Sequence, residues 1–447
     1  MSLTLHCRYR KPIGGRLRVP SDKSIAHRAL ILSALAQGES RLYDLLESDD
    51  VLATEQALRD GFGVAIHKEP ASNVRIVQGM GGYWQQPNHG LDMGNSGTAA
   101  RLLIGAVASQ TIRARFDGDS SLRGRPMQRI TEPLTSCGAQ FQWHKKPHYL
   151  PLTVQGTMPP MPCQWTSPVA SAQVKSALLL AGLKAHGMTS ITEPALSRDH
   201  TERMLQHFGV DVTTQLHDDN SATITMAGRQ VLQARTVRIP ADPSSGAFPT
   251  AAALMTNGSL TLTGVCLNPL RLGFYSALTA MGAKVAYSKT TTQDNEPIGD
   301  ITIDPPPRLS PIDWPAHHAP MMIDDYPALA VLAAHVDGTT RLRGLAELRV
   351  KESDRLTALC DNLNRCGTQA HIDKDDLIII GKAPQHQIEQ PATIDAQGDH
   401  RIAMAFLVYG MARRTQPIIV RGAETITTSF PDFVATMNTH GAGIDST

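Results

Sequence analysis

Arg349-Val350-Lys351-Glu352-Ser353-Asp354-Arg355 packs three cations and two carboxylates into seven residues. Such a run can gather anions, because lysine brings a point charge and arginine a planar fork that meets phosphate and carboxylate oxygens in pairs. A carboxyl group set among those cations can also move a proton. Leu356, Leu359 and Leu363 follow on one helical stripe. The spacing therefore places the charges in the entry and first turns of an amphipathic helix, with Lys351 and Arg355 sharing a face. Charged first turns are usually solvated, so the run needs company before it means anything.

Company is found at the starts of six stretches that are apolar nearly all round: Ile25 to Ala36, Thr98 to Ala108, Val174 to Leu183, Gly246 to Met255, Pro327 to Ala334 and Arg401 to Met411. Helices without a polar face are buried. Yet they open on Ser21-Asp22-Lys23-Ser24-Ile25-Ala26-His27-Arg28, Gly94-Asn95-Ser96-Gly97-Thr98-Ala99-Ala100-Arg101, Ser171-Ala172-Gln173, Ser244-Ser245-Gly246, Asp324-Asp325 and Asp399-His400-Arg401. Serine, threonine and aspartate at a helix start are ordinary N-caps. Capping does not call for Lys23, Arg28, Arg101 or Arg401. A helix N-terminus binds anions through its unpaired N–H groups and partial positive charge. If the six starts point the same way, they converge on one electropositive cleft between two domains. The loop Asp117 to Pro126 adds Arg123 and Arg125 beside glycines. The ligands expected are small molecules carrying several phosphates and carboxylates.

The elements that must position these residues show a regular beat. Gly63, Gly138, Gly209, Gly282, Gly367 and Gly441 each close an amphipathic helical pattern and lie, by subtraction, 75, 71, 73, 85 and 74 residues apart. Each unit thus has a buried helix, a strand and a second, amphipathic helix. The units are too long for common solenoid repeats, so the expected architecture is two closed α/β domains of three units each. Leu17-Arg18-Val19-Pro20 is echoed by Val237-Arg238-Ile239-Pro240, and the chain is expected to cross between domains near both. That gives one domain over 20–238 and a discontinuous one over 1–19 plus 239–447.

A chain of 447 residues exceeds what one core usually supports. Its net charge of +1 gives no ground for a nucleic-acid or membrane partner. The six cysteines are scattered without a C-x-x-C pair, which fits free thiols in a reducing compartment. The N-terminal residues have neither signal- nor transit-peptide character, and no apolar run reaches bilayer length, so a cytoplasmic protein is expected. Walker A, HExxH and Gly-x-Ser-x-Gly patterns are absent, and nothing requires a metal or an organic cofactor.

Taken together, Ser21-Asp22-Lys23-Ser24, Gly94-Asn95-Ser96-Gly97-Thr98, Arg123-Gly124-Arg125-Pro126, the run Arg349 to Arg355 and Asp399-His400-Arg401 resemble the 5-enolpyruvylshikimate-3-phosphate synthases across nearly the whole chain. The resemblance implies an inside-out α/β barrel of two domains, with six βαβαββ repeats and active-site helices aimed at the interdomain cleft. It implies transfer of the enolpyruvyl group of phosphoenolpyruvate to the 5-hydroxyl of shikimate 3-phosphate by addition and elimination, without a cofactor, in a monomer. By position, Lys23, Gly97, Arg125, Gln173, Arg355 and Arg401 are expected at phosphoenolpyruvate. Lys23, Ser24, Arg28, Ser171, Ala172, Gln173, Arg198, Asp324 and Lys351 are expected at shikimate 3-phosphate. Asp324 is implied as the base on the 5-hydroxyl and Glu352 as the acid to the methylene carbon, with Lys23 as a third catalytic residue and Lys351 beside both substrates.

Two departures stand out. Ala172 replaces a second serine, and Thr427-Thr428-Ser429-Phe430-Pro431 lacks a lysine that family members carry before the Phe-Pro. Both resemble a divergent bacterial branch with glyphosate-tolerant members, whereas Gly97 resembles the sensitive pattern. The sister transferase acting on UDP-N-acetylglucosamine usually has a cysteine in the loop before Arg-Pro, where this chain has Asp119 and Ser120. A non-catalytic anion-binding repeat protein is the remaining alternative; it would not need Asp324 or Glu352.

Overall fold

The computed structural model describes residues 3–70, 72–383 and 391–446. Six buried helices dominate it: α1 (Lys23–Leu35), α2 (Gly97–Ala108), α3 (Ala172–Gly182), α4 (Pro243–Met255), α5 (Tyr326–Ala333) and α6 (His400–Met411). Their starts follow from local chemistry. Asp22, Ser96, Ser171, Asp242 and Asp399 each accept an N–H of the first turn on a side-chain oxygen, satisfying donors that the helix itself leaves open.

Six four-stranded sheets accompany the helices. Each contains one parallel pair with antiparallel pairing beyond it. In four sheets the parallel pair brackets its own buried helix, as Leu91–Asp92 and Arg113–Asp117 bracket α2. The other two sheets exchange partners. Gly15–Leu17 precedes α1 but pairs with Leu260–Cys266, after α4; Thr236–Arg238 precedes α4 but pairs with Gln37–Tyr43, after α1. Thr4–Arg8 runs antiparallel to both Ile418–Arg421 and Gly443–Ser446.

The chain accordingly divides into two compact bodies. One comprises Ser21–Ile239 with Thr292–Glu296, and the other Met1–Pro20, Pro240–Thr291 and Pro297–Thr447. Met1, Ser2 and Thr447, at the ends of the expected discontinuous domain, lie outside the described residues. The six landmark glycines have φ of +72°, +99°, +87°, +96°, +86° and +120° in chain order, the left-handed geometry that ends a helix at low cost only for glycine. All six cysteines are free and buried. Among the described residues no helix is long and apolar enough to cross a membrane.

One expectation fails at the run Arg349 to Arg355. Helix Arg355–Arg365 begins only at its last residue, because Asp354 turns back as N-cap and accepts the Thr357 N–H at 3.1 Å. Lys351, Glu352 and Ser353 lie before it, after the 3-10 turn Ala346–Val350. Lys351 and Arg355 therefore share no helical face.

Candidate active site

In the body built on Ser21–Ile239, three helix starts are tied to one another by side chains. Arg28 of α1 is buried; its Nε donates to Thr201 Oγ1 at 2.7 Å, its Nη2 to Ser176 Oγ of α3 at 2.8 Å and its Nη1 to the Ser24 carbonyl at 2.9 Å. Arg101 of α2 donates to Gln173 Oε1 of α3 at 2.8 Å, and Gln173 Nε2 donates to Thr98 Oγ1 at 3.0 Å. Arg125 is buried, held by Asn95 Oδ1 at 2.5 Å and Ser121 Oγ at 3.1 Å. Gly97 lies beneath these cations: a Cβ there would sit 2.8 Å from Arg101 Nη1 and 3.2 Å from Arg125 Nη1. Arg123, expected beside Arg125, instead turns outward and pairs with Asp117 at 2.7 Å on an exposed edge.

Lys23 opens α1 and places its ammonium 2.8 Å from Asp50 Oδ2. Asp50 is a member of this site that sequence reasoning passed over, since acidic residues after Ser48 read as ordinary first-turn charges. His27, one turn further along α1, is fully buried with Nδ1 2.7 Å from Thr54 Oγ1. Burial first, then the charges of Lys23 and Arg28, hold its imidazole well below the usual range. It is a neutral histidine under a cationic surface.

In the other body, Arg355 is the hub. Its side chain has 0% exposure, and it meets Asp399 Oδ2 through Nε at 2.7 Å, Asp324 Oδ1 through Nη1 at 3.2 Å and Glu352 Oε2 through Nη2 at 2.5 Å. Burial works against its charge, but Asp399, Glu352 and Asp324 together outweigh that and strengthen its hold on the proton. Lys351 Nζ lies 3.8 Å from the same Asp324 oxygen, and Arg401 Nη1 donates to the Asp324 carbonyl at 3.0 Å. Asp399 serves twice, capping α6 through the Arg401 N–H at 2.9 Å while gripping Arg355. The structure thus collects Asp324, Lys351, Glu352 and Arg401 about the Arg355 guanidinium. Arg349, the first cation of the run, turns away toward Asp354 and Asp375.

The fourth helix start corrects an expectation. Ser244, Ser245 and Asp242 are buried, and Arg271 closes over them, donating to Asp242 Oδ1 at 2.7 Å and Ser244 Oγ at 3.2 Å. Tyr275 caps the adjoining Pro243 carbonyl. This end is sealed by its own ion pair and offers no open anion site.

The sequence profile described as EPSP synthase (3-phosphoshikimate 1-carboxyvinyltransferase) matches residues 7–437. The chain belongs to the EPSP synthase family. A 3-phosphoshikimate 1-carboxyvinyltransferase of Paramagnetospirillum magneticum is 47% identical over 99% of this chain and 98% of its own length. One from Rhodospirillum rubrum is 46% identical over 97% and 96%. Among solved structures, the EPSP synthase of Acinetobacter baumannii superposes with a TM-score of 0.86 at 39% identity and covers both chains completely. The enolpyruvyl transferase NikO of Streptomyces tendae shares the fold, at a TM-score of 0.76 and 18% identity. Each of the two bodies is built on three of the six buried helices.

Proposed function

We propose that the chain transfers the enolpyruvyl group of phosphoenolpyruvate to the 5-hydroxyl of shikimate 3-phosphate, releasing phosphate. The observation that carries this reading is the Arg355 cluster, in which two partly accessible carboxylates, Asp324 and Glu352, share one buried guanidinium beside Lys351 and Arg401. A site that only held anions would gain nothing from carboxylates at its centre. A site that must take a proton from one atom and give one to another needs both.

In this reading Asp324 accepts the proton of the 5-hydroxyl as its oxygen bonds to C2 of phosphoenolpyruvate, while Glu352 protonates C3. From the tetrahedral adduct the Glu352 carboxylate takes back a C3 proton as the C2–O bond to phosphate breaks, so the C2–C3 double bond reforms as the enol ether of the product and phosphate leaves. Lys23, Arg125, Arg355 and Arg401 offset charge on the phosphate and carboxylate of phosphoenolpyruvate, Gly97 lets the ligand approach closely, and Gln173 serves both ligands. Ser24, Arg28, Ser171, the backbone of Ala172, Arg198 and Lys351 hold shikimate 3-phosphate. Lys23 and Arg355 already grip carboxylates, Asp50 in one case and Asp324, Glu352 and Asp399 in the other. An arriving phosphate or carboxylate competes for the same donors, so binding itself loosens the acid and the base. We place the enzyme in the cytoplasm as a monomer acting on two small anions, with no nucleic acid, membrane or cofactor involved.

Phosphate release from phosphoenolpyruvate, followed with and without shikimate 3-phosphate in the presence of a chelator, tests this. Release is expected only with both substrates and is expected to disappear in Glu352→Gln and Asp324→Ala. Release supported by UDP-N-acetylglucosamine instead would move the chain to the sister reaction, and silence with both acceptors would leave a binding protein.

A further inference from the structure

Beyond Gln173 helix α3 carries two polar side chains, Lys175 and Ser176, and that of Lys175 has 0% exposure. Its ammonium lies 3.0 Å from Glu193 Oε2 and 2.8 Å from Glu202 Oε1, and donates to the Ser197 carbonyl at 3.2 Å. Glu193 is also fully enclosed. Its Oε1 accepts the backbone N–H of Ser171 at 3.0 Å, and its two oxygens accept the Ser197 hydroxyl at 2.8 and 2.9 Å. Ser171 is the N-cap of α3, and Ser197 immediately precedes Arg198.

Three buried ions are a poor way to hold three elements together. Each costs several kcal/mol of desolvation, and an apolar trio of similar volume usually packs as stably or better. What an apolar trio lacks is direction. A carboxylate that must accept from Ser171 and Ser197 fixes both positions to within hydrogen-bond tolerance, and burying it in the core calls for a cation beside it. The second carboxylate, Glu202, is pushed up by burial against the pull of Lys175.

We propose that Lys175, Glu193 and Glu202 are positioning residues that set Ser171 and Arg198 for the phosphate of the acceptor substrate. This inference rests on the acceptor assignment made above. Its test is calorimetric binding of shikimate 3-phosphate to the full-length Lys175→Met protein, with Michaelis constants for both substrates and a thermal melt. Wild type is titrated first: no binding there would remove the acceptor assignment itself, independently of Lys175. With wild-type binding in hand, Lys175→Met is expected to weaken shikimate 3-phosphate about tenfold while the phosphoenolpyruvate KM and kcat at saturating acceptor stay within about threefold. Unchanged acceptor affinity in a natively melting variant, or equal loss toward both substrates, would overturn the proposal. If Lys175→Met does not fold, Ser197→Ala removes one hydroxyl from the Glu193 cluster and is expected to raise the acceptor KM about threefold at constant kcat; an unaltered KM overturns it equally.

Discussion

A guanidinium withdrawn from water among three carboxylates is held by charge and by the hydrogen bonds of its fork, so the cost of removing it is concentrated in one side chain. Arg355→Met would take away the cation that Asp399, Asp324 and Glu352 share, and a buried pair broken on one side costs about 3–5 kcal/mol. Urea unfolding should show a loss of that size, whereas Arg355→Lys, which keeps the charge and loses the fork, should cost less stability while still abolishing turnover. Equal stability of the methionine variant and wild type would mean that the cluster is not an ionic hub. His27 makes a separate residue-scale prediction. Its folded pKa is depressed, chiefly by burial, so its contribution is intact above the unfolded value of about 6.5 and is lost as pH falls below it. Stability should then decline by up to about 1.4 kcal/mol per pH unit from this group below pH ~6.5, and His27→Gln should flatten that part of the profile. The types of these residues were legible in the sequence; their directions were not. Arg349 and Arg355 stand six positions apart with similar neighbours, yet one faces surface aspartates and the other is sealed in. That difference is made by Asp399, forty-four residues downstream, which no local pattern connects to either.

Helix starts are the elements on which the proposed chemistry sits, and their relative placement within a body depends on how closely the helices approach. On α2, a Cβ at Gly105 would lie 2.5 Å from the Ala177 carbonyl oxygen and 2.6 Å from its Cα. This backbone-to-backbone contact between α2 and α3 has no flexible atom to yield. Gly105→Ala should therefore destabilise by about 1–3 kcal/mol as an overpacked site, and the strain falls on the same two helices that join Arg101, Thr98 and Gln173. Chemical denaturation checks the magnitude. Gly97→Ala differs in kind, since its close contacts would be the tips of Arg101 and Arg125, with Leu122 at an ordinary 3.7 Å. Arginine tips can move, so the fold should melt within about 1 °C of wild type per few tenths of a kcal/mol lost, while the phosphoenolpyruvate KM rises because both guanidinia are displaced. A large fall in melting temperature with unchanged KM would contradict this. At this scale the sequence was informative because all-round apolarity and a capping residue coincide at each buried helix. The expected stretch Thr98 to Ala108 differs from α2 by one residue at its start. The start at Arg355 was misjudged because Asp354 competes as a cap, and charge content alone does not say which of several polar residues will turn back onto the helix. The sealed start of α4 was likewise hidden: its stopper, Arg271, belongs to a different element.

The molecule as a whole is assembled from units that are alike, and the partner exchange of two short strands decides which units share a body. Nothing in the composition of Gly15–Leu17 or Thr236–Arg238 names a partner, since a three-residue strand takes its register from the edge it meets. The glycine beat revealed six units and the echo of Leu17-Arg18-Val19-Pro20 in Val237-Arg238-Ile239-Pro240 suggested where the chain crosses; the register of the two strands had to be seen. The exchange has a consequence that can be tested. The body on Ser21–Ile239 is one continuous segment apart from Thr292–Glu296, and it owns its closing strand, Thr236–Arg238, paired beside Gln37–Tyr43. A fragment spanning 21–239 should therefore fold cooperatively by itself. It lacks Glu296, which lies 2.6 Å from His200 Nδ1, and Asp294, which accepts the Arg238 N–H at 2.7 Å. Those omissions should lower its stability by about 1–3 kcal/mol, the usual cost of stranding buried polar groups, without unfolding it. Because Ser24, Arg28, Ser171, Gln173, Arg198 and the Lys175 triad are all within it, the fragment should bind shikimate 3-phosphate in a calorimeter and release no phosphate from phosphoenolpyruvate, for Asp324 and Glu352 are absent. A folded fragment that ignores shikimate 3-phosphate would show that acceptor recognition needs Lys351 or Asp324 from the other body, and an unfolded one would show that the strand exchange does not by itself complete a core.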